Sequence, residues 1–242
     1  MNRLPSRYIH NIKQFGAGKN AHKLTVVILG GSIGYRMKSY GAKSLVKLTS
    51  GKNILETQLQ TLSSVYNNYE VILTTGYEAD KVIKNLPDPK LIRIVENQKY
   101  EETNVLEEIR LALNNCITAD NILFIYGDVV FNTVAIEDIT KDGNSSTIIH
   151  KGRGPDDEKI GITLVNEKVT SFGYGINPEW GYITYLTGRE LDVFKKIAQD
   201  RDKNKLYMFE ALNLMLDKNC QLKAHQPDKL MINRIEYAKD II

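Results

Sequence analysis

An α/β fold on a mainly parallel sheet is predicted for this 242-residue chain by three features of its sequence. Apolar, β-branched runs alternate with helical patterns through the first half. Several of these runs stop at glycine or turn residues, as strands do when they feed loops along one sheet edge. In the second half, short strand candidates follow one another closely, which suits an antiparallel C-terminal extension of the same sheet.

Residues 24–29 (LTVVIL) form the first strand candidate, a buried β-branched run. A helix follows over 53–66, with Leu55, Leu59, Leu62 and Tyr66 on one face. Residues 69–75 are the second strand, 78–85 a short helix and 91–96 the third strand. Asn104 can cap the next helix, in which Leu106, Ile109 and Leu113 share a face. The fourth strand, 121–126, stops at Gly127-Asp128. Beyond it, strands are expected over 146–151, 160–165, 168–172 and 181–186, and helices over 188–199 and 205–217. Short strands near Leu222 and Leu230 and a terminal helix over 234–242 complete the expectation, with 151–159 (KGRGPDDEK) as a loop. Trp180 is a core anchor or a wall of a pocket.

The composition, 42% hydrophobic and 25% charged, is that of a globular protein with ample core. No apolar run reaches the roughly 20 residues that span a bilayer, and the N-terminus lacks a signal-like apolar stretch. Cys116 and Cys220 lie far apart in apparently buried positions, so a disulfide framework is not expected and a reducing cytoplasm fits. Residues 1–23 carry Arg3, Arg7, Lys13, Lys19 and Lys23 with no acid, and form a basic extension ahead of one domain over 24–242. That domain has no basic excess, which argues against nucleic acid as a substrate.

The segment with most chemistry follows the first strand. Gly30, Gly31, Ser32 and Gly34 let the chain bend and a ligand approach its backbone, and Arg36 and Lys43 follow at once. Backbone N–H groups beside two cations suit a polyphosphate. Asp128, at the end of the fourth strand, would share that sheet edge and could hold Mg²⁺. Asn97 and Asn104 offer amides for a base, ribose or headgroup, or else serve turn and capping roles. Three other motifs fail. Residues 15–20 lack the first glycine and the hydroxyl of a P-loop, and 31–36 lacks the glycine spacing of a dinucleotide fingerprint. Gly30-Gly31-Ser32-Ile33-Gly34 is a literal G-x-S-x-G, but the strands a hydrolase needs before it are missing. The four histidines have no zinc-ligand spacing.

Taken together, these residues resemble the nucleotidyltransferases of the sugar-phosphate and phosphocholine type. Their opening L-A-A-G-x-G-x-R-M and later P-K are matched by Leu29 to Met37 and by Ala42-Lys43. Gly51 to Glu56 resembles G-K-P-L-I-E, and Thr75-Gly76-Tyr77 resembles T-G-Y. Residues 97–104 resemble N-x-x-Y-x-x-T-N, and Gly127-Asp128 the metal-bearing G-D. The match is good over about residues 24–132 and loose beyond. The resemblance implies a GT-A/Rossmann-like three-layer sandwich and transfer of NMP from an NTP to a phosphorylated acceptor, with release of pyrophosphate. It implies that Arg36 and Lys43 bind the phosphates and that the Gly30–Gly34 loop cradles the nucleotide, with Gly76, Asn97 and Asn104 around it. It also implies a Mg²⁺ ion on Asp128. The second metal acid of the family falls on Asn233, in Met231-Ile-Asn-Arg-Ile-Glu-Tyr237, and the first loop glycine on Ser32. Two other functions stay open: a glycosyltransferase on this fold, disfavoured because Val129-Val130 follow Asp128, and a non-catalytic nucleotide-binding protein.

Overall fold

The computed structural model describes residues 24–87, 92–116, 119–152 and 157–242. The basic extension over 1–23 lies outside the described residues, as do residue 91 of the third predicted strand and 153–156 of the predicted loop.

Strand β1 (Leu24–Leu29) has all six residues buried, as its unbroken apolar run requires. Two short 3₁₀ turns, Tyr35–Tyr40 and Lys43–Leu45, lead to helix α1 (Ile54–Val65). Asn53 starts α1 with a capping box: its side chain accepts from the Glu56 N–H, and the Glu56 carboxylate accepts from the Asn53 N–H. Then come β2 (Tyr69–Thr75), α2 (Ala79–Lys84), β3 (Ile92–Glu96), α3 (Val105–Asn114) and β4 (Asn121–Tyr126). The chain continues with β5 (Val129–Phe131), α4 (Val134–Glu137), β6 (Ser146–His150), β7 (Ile160–Val165), β8 (Lys168–Tyr174) and β9 (Glu179–Thr187). Helices α5 (Gly188–Gln199) and α6 (Met208–Leu216) precede β10 (Lys223–His225) and β11 (Ile232–Arg234).

Nine strands form one sheet in the order β3-β2-β1-β4-β9-β6-β10-β8-β7. β3, β2, β1 and β4 run parallel, whereas β4–β9, β9–β6 and β8–β7 are antiparallel. The sheet is thus mixed, its parallel part limited to the first half, where helices separate successive strands. In the second half connections are too short for crossovers: β7 and β8 are joined by Asn166 and Glu167, both at positive φ, as a tight hairpin demands. An additional β9–β7 pairing closes β9, β6, β10, β8 and β7 into a ring. Helices α3, α5 and α6 pack on one another, α3 against β1, β2 and β3 and α5 against β4 and β9. Trp180 belongs to the core: it is 1% exposed, donates to Thr147 Oγ1 at 2.9 Å and packs on Phe172, Tyr126 and Tyr182. Among the described residues no helix is long and apolar enough to cross a membrane, and Cys116 and Cys220 are buried, unpaired thiols.

The terminal helix expected over 234–242 is not formed. β11 pairs with β5 instead, the Ile235 N–H donates to the Asp128 carbonyl at 2.8 Å, and only Ala238–Asp240 makes a 3₁₀ turn. The Asp240 carboxylate accepts from the N–H groups of Glu236 and Tyr237, which holds the segment in its non-helical path.

Candidate functional site

Register along the parallel strands brings four loops to one edge. Leu29 of β1 lies beside Thr74 of β2 and Tyr126 of β4, and Thr75 lies beside Glu96 of β3. The ladder extends past the strands: Gly127 N–H donates to Leu29 O at 2.7 Å and Tyr77 N–H to Gly31 O at 3.1 Å. The loops after β1 and β4 therefore leave the sheet side by side. A Cβ on Gly127 would meet Leu29 O at 2.9 Å and Gly30 Cα at 3.0 Å, so glycine is what lets them approach.

Between them is a pocket lined by Gly30, Ser32, Lys43, Ser44, Asn104, Glu108, Tyr126, Asp128, Tyr207 and Arg234. Lys43 and Asp128 form a largely buried ion pair, Nζ to Oδ2 at 2.8 Å, with side chains 11% and 7% exposed. Gly34 makes room for this lysine: it sits at φ +59°, and a Cβ there would meet Lys43 Cδ and Cγ at 2.8 Å. Gln58 of α1 fixes the β4 turn by donating to Tyr126 O and Val129 O at 2.8 and 2.7 Å.

Arg234 at the end of β11 makes the second contact to Asp128, Nε to Oδ2 at 3.2 Å, and reaches Glu236 Oε1 with Nη1 at 3.1 Å. Its guanidinium carbon lies 4.2 Å from the centroid of Tyr182 and 5.5 Å from that of Tyr126, which adds cation–π attraction. Burial opposes the charge on Asp128, but Arg234 and Lys43 outweigh it and hold the carboxyl down at about 2. Two polar atoms of pocket-lining residues, Asp128 Oδ1 and Ser44 Oγ, are buried without a protein partner. Such atoms cost stability until something supplies a hydrogen bond or a charge, which marks the pocket as a place for a polar ligand.

The other predicted residues divide into two groups. Ser32 is exposed at the pocket, and among the described residues none accepts from its N–H. Asn104 lines the pocket while its side chain caps α3, accepting from Val105 N–H at 2.9 Å. Gly30 and Gly31 line or adjoin the pocket, but their N–H groups point inward: Gly30 donates to Thr74 Oγ1 at 3.1 Å and Gly31 to Glu108 Oε2 at 2.9 Å. Burial, partly offset by the bonds from Thr74 and Gly31, pushes the Glu108 carboxyl up. Gly76 is a close-approach glycine, since a Cβ there would meet Tyr100 Cβ at 2.8 Å. Asn97 is buried and shapes its own loop, donating to Thr103 Oγ1 and accepting from Lys99 N–H, both at 3.0 Å. Arg36 does not line the pocket; it stands half-exposed, paired with Glu158 at 2.9 Å and with Glu236 at 3.7 Å, and 5.0 Å from the Tyr237 ring centroid.

Asn233 is not brought to Asp128. Successive residues of a strand project to opposite faces, so Arg234 takes that place and the Asn233 amide donates to Asp240 O at 2.8 Å. The nearby acid is Glu236, which Lys159 Nζ also contacts at 2.8 Å. Sequence reasoning missed Arg234, Glu236, Glu108 and Tyr207. The only signal for the first two was their place beside Asn233 in the segment that resembles the family's second metal motif.

A family model described as the MobA-like NTP transferase domain matches residues 26–152. No curated protein matches the chain by sequence. Among solved structures, the CTP:phosphocholine cytidylyltransferase from Streptococcus pneumoniae superposes with a TM-score of 0.74 at 16% identity, covering 90% of this chain and 96% of that one. The inositol-1-phosphate CTP transferase from T. maritima gives 0.69 at 16% identity, over 93% and 94%. The nucleoside-diphosphate-sugar pyrophosphorylase from Vibrio cholerae gives 0.67 at 15%, over 89% and 97%. At these identities the likenesses establish the fold.

Proposed function

The chain belongs to the MobA-like NTP transferase family, and from that membership we propose that it transfers NMP from an NTP to a phosphorylated small molecule and releases pyrophosphate. The acceptor is a sugar phosphate or a phospho-alcohol, in line with structural relatives named for phosphocholine, inositol-1-phosphate and nucleoside-diphosphate sugars. The observation that carries this proposal is the pocket at the parallel-strand edge, where Lys43 and Arg234 flank Asp128, and Asp128 Oδ1 and Ser44 Oγ have no protein partner.

In this reaction an acceptor phosphate oxygen attacks the α-phosphorus in line. A new P–O bond forms, the bond from the α-phosphorus to its bridging oxygen breaks, and pyrophosphate leaves with that electron pair. Positioning and charge stabilisation do most of the work. Lys43 and Arg234 face the triphosphate, with the Ser32 N–H as a backbone donor, while Gly30, Gly31 and Glu108 hold the loop from behind. Arg36 and Lys159, which meet Arg234 at Glu236, would take the phosphate of the acceptor. The buried, unpaired thiols support a reducing, cytoplasmic setting.

The Mg²⁺ implied by resemblance finds a poor donor set here. Asp128 has one unpartnered oxygen, but its other oxygen bonds Lys43 and Arg234. Glu236 is engaged by Arg36, Lys159 and Arg234, and Asn233 turns away. Among the described residues no three His, Cys, Asp or Glu side chains are grouped to hold a metal. The residues as arranged do not fit a divalent cation.

The test is thermal stabilisation by ATP, CTP, GTP and UTP, followed by pyrophosphate release with a panel of sugar phosphates and phospho-alcohols. One NTP at 100-fold its dissociation constant should add about 2.7 kcal/mol of stability. Lys43→Ala should abolish most of that gain and lower turnover by roughly 100-fold or more, as loss of a transition-state charge partner does. No stabilisation by any NTP would count against the proposal. Stabilisation without pyrophosphate release from any acceptor would favour a nucleotide-binding protein that does not catalyse.

A further inference from the structure

We propose that the guanidinium of Arg234 takes the place of a divalent cation between Asp128 and Glu236, with Lys43 supplying the second positive charge, so that this chain binds its triphosphate without a metal ion. The proposal rests on the nucleotide pocket proposed above. One guanidinium spans two carboxylates from different loops: Nε is 3.2 Å from Asp128 Oδ2, and Nη1 is 3.1 Å from Glu236 Oε1. A metal bridging the same two acids would have to displace it.

Three features keep it there. Arg234 lies against the rings of Tyr182 and Tyr126, so planar packing and charge hold it together. Its backbone is fixed, because β11 pairs with β5 and puts Arg234 beside Val129, the residue after Asp128. Lys43 stands on the same Asp128 oxygen, so a dication approaching the free Oδ1 would meet two fixed positive charges in a largely buried site. Mg²⁺ also demands several oxygen ligands in octahedral array, and both oxygens of Glu236 already face cations. A guanidinium, by contrast, carries donors in a fixed fork that matches phosphate oxygens. Arg234 and Lys43 would meet the polyphosphate directly, with Asp128 holding both in place.

The test separates the metal from the nucleotide. Mn²⁺ alone is titrated into the full-length wild type, Asp128→Asn, Arg234→Asp and the double variant Arg234→Asp/Asp128→Asn, and free Mn²⁺ is read by electron paramagnetic resonance. The wild type should show no saturable site. Arg234→Asp, which puts a third carboxylate beside Asp128 and Glu236, should gain one that the double variant loses. A wild-type Mn²⁺ site that Asp128→Asn removes would overturn the proposal. So would failure of a folded Arg234→Asp to gain a site, since Arg234 would then not be what excludes the metal. Should Arg234→Asp not fold, the second arm, which uses Arg234→Gln, decides the proposal.

In that arm the NTP that stabilises the wild type is titrated in EDTA and in Mg²⁺. Wild-type affinity should differ by less than threefold between the two, and Arg234→Gln should weaken binding in EDTA at least tenfold. Binding that requires Mg²⁺, or that is indifferent to Arg234→Gln, would overturn the proposal. If no NTP binds in either condition, the nucleotide proposal fails and the role given to Arg234 at the triphosphate fails with it. The Mn²⁺ arm then still reports separately whether Arg234 excludes a metal.

Discussion

Asp128 concentrates the electrostatics of the site. Its carboxylate is nearly buried, and burial alone would favour the neutral acid. Arg234 and Lys43 reverse that preference and hold it at about 2, below the usual 3.8. A carboxyl depressed on folding stabilises the native state above its unfolded value, and that stabilisation fades as pH falls through the native value. The effect here is about 2 kcal/mol, fully present near neutrality and fading between pH 4 and pH 2. Asp128→Asn leaves two partly buried cations short of a counter-charge, and should cost roughly 3 kcal/mol at pH 7. The difference between wild type and variant, read from urea unfolding at steps between pH 7 and pH 3, should stay constant to about pH 4 and then narrow. A difference that held its size down to pH 3 would mean that the pair does not govern the titration of Asp128.

The loop after β1 shows how far local sequence reaches. The glycines and the following lysine were legible as a bend that carries cations away from β1, because small residues and cations announce themselves. What each glycine does was not. Gly30 and Gly31 serve internal acceptors, whereas Gly34 provides the space in which the Lys43 stem lies. β1, β2 and β4 were legible with their bounds because their apolar runs are unbroken and helices separate them. The last segment misled for a physical reason: residues 234–242 have an acceptable helical composition, but their N–H groups find Asp128 O and the Asp240 carboxylate. Arg234 and Asp128 lie 106 residues apart, and their meeting depends on the β11–β5 pairing, which no local pattern encodes. The role of Gly34 can be isolated with a matched control. Gly34→Ala and Gly143→Ala replace glycines at φ +59° and +62°, so each should lose about 1 kcal/mol to left-handed strain. A Cβ at Gly143 meets nothing within 4 Å, whereas at Gly34 it strikes Lys43. Only Gly34→Ala should therefore lower NTP affinity, by tenfold or more in a binding titration. Equal affinities in the two variants would detach the lysine from the glycine.

The molecule holds its two sources of charge on a small core of its own. Most buried apolar residues form one continuous cluster through the nine-stranded sheet and its helices. A second cluster contains Met37, Val46, Leu48, Ile54 and Ile235. Met37 follows Arg36, Val46 lies just beyond Lys43, and Ile235 sits between Arg234 and Glu236, so one packing unit positions cations that come from opposite ends of the domain. Ile235 is fully buried, and truncating it should cost about 2–4 kcal/mol through lost burial and a residual cavity. That cost should not spread evenly, because local opening follows the contacts that are lost. In Ile235→Ala, hydrogen exchange should quicken at the amides of Leu45, Val46 and Leu48, whose N–H groups bond within the same loop, and at Ile235 itself. The amides of β1 and β4 should keep their protection, and NTP affinity should fall although no residue touching the pocket has changed. Uniform loss of protection across the sheet would show that the small cluster is continuous with the main core and that the charged loops do not open as a unit.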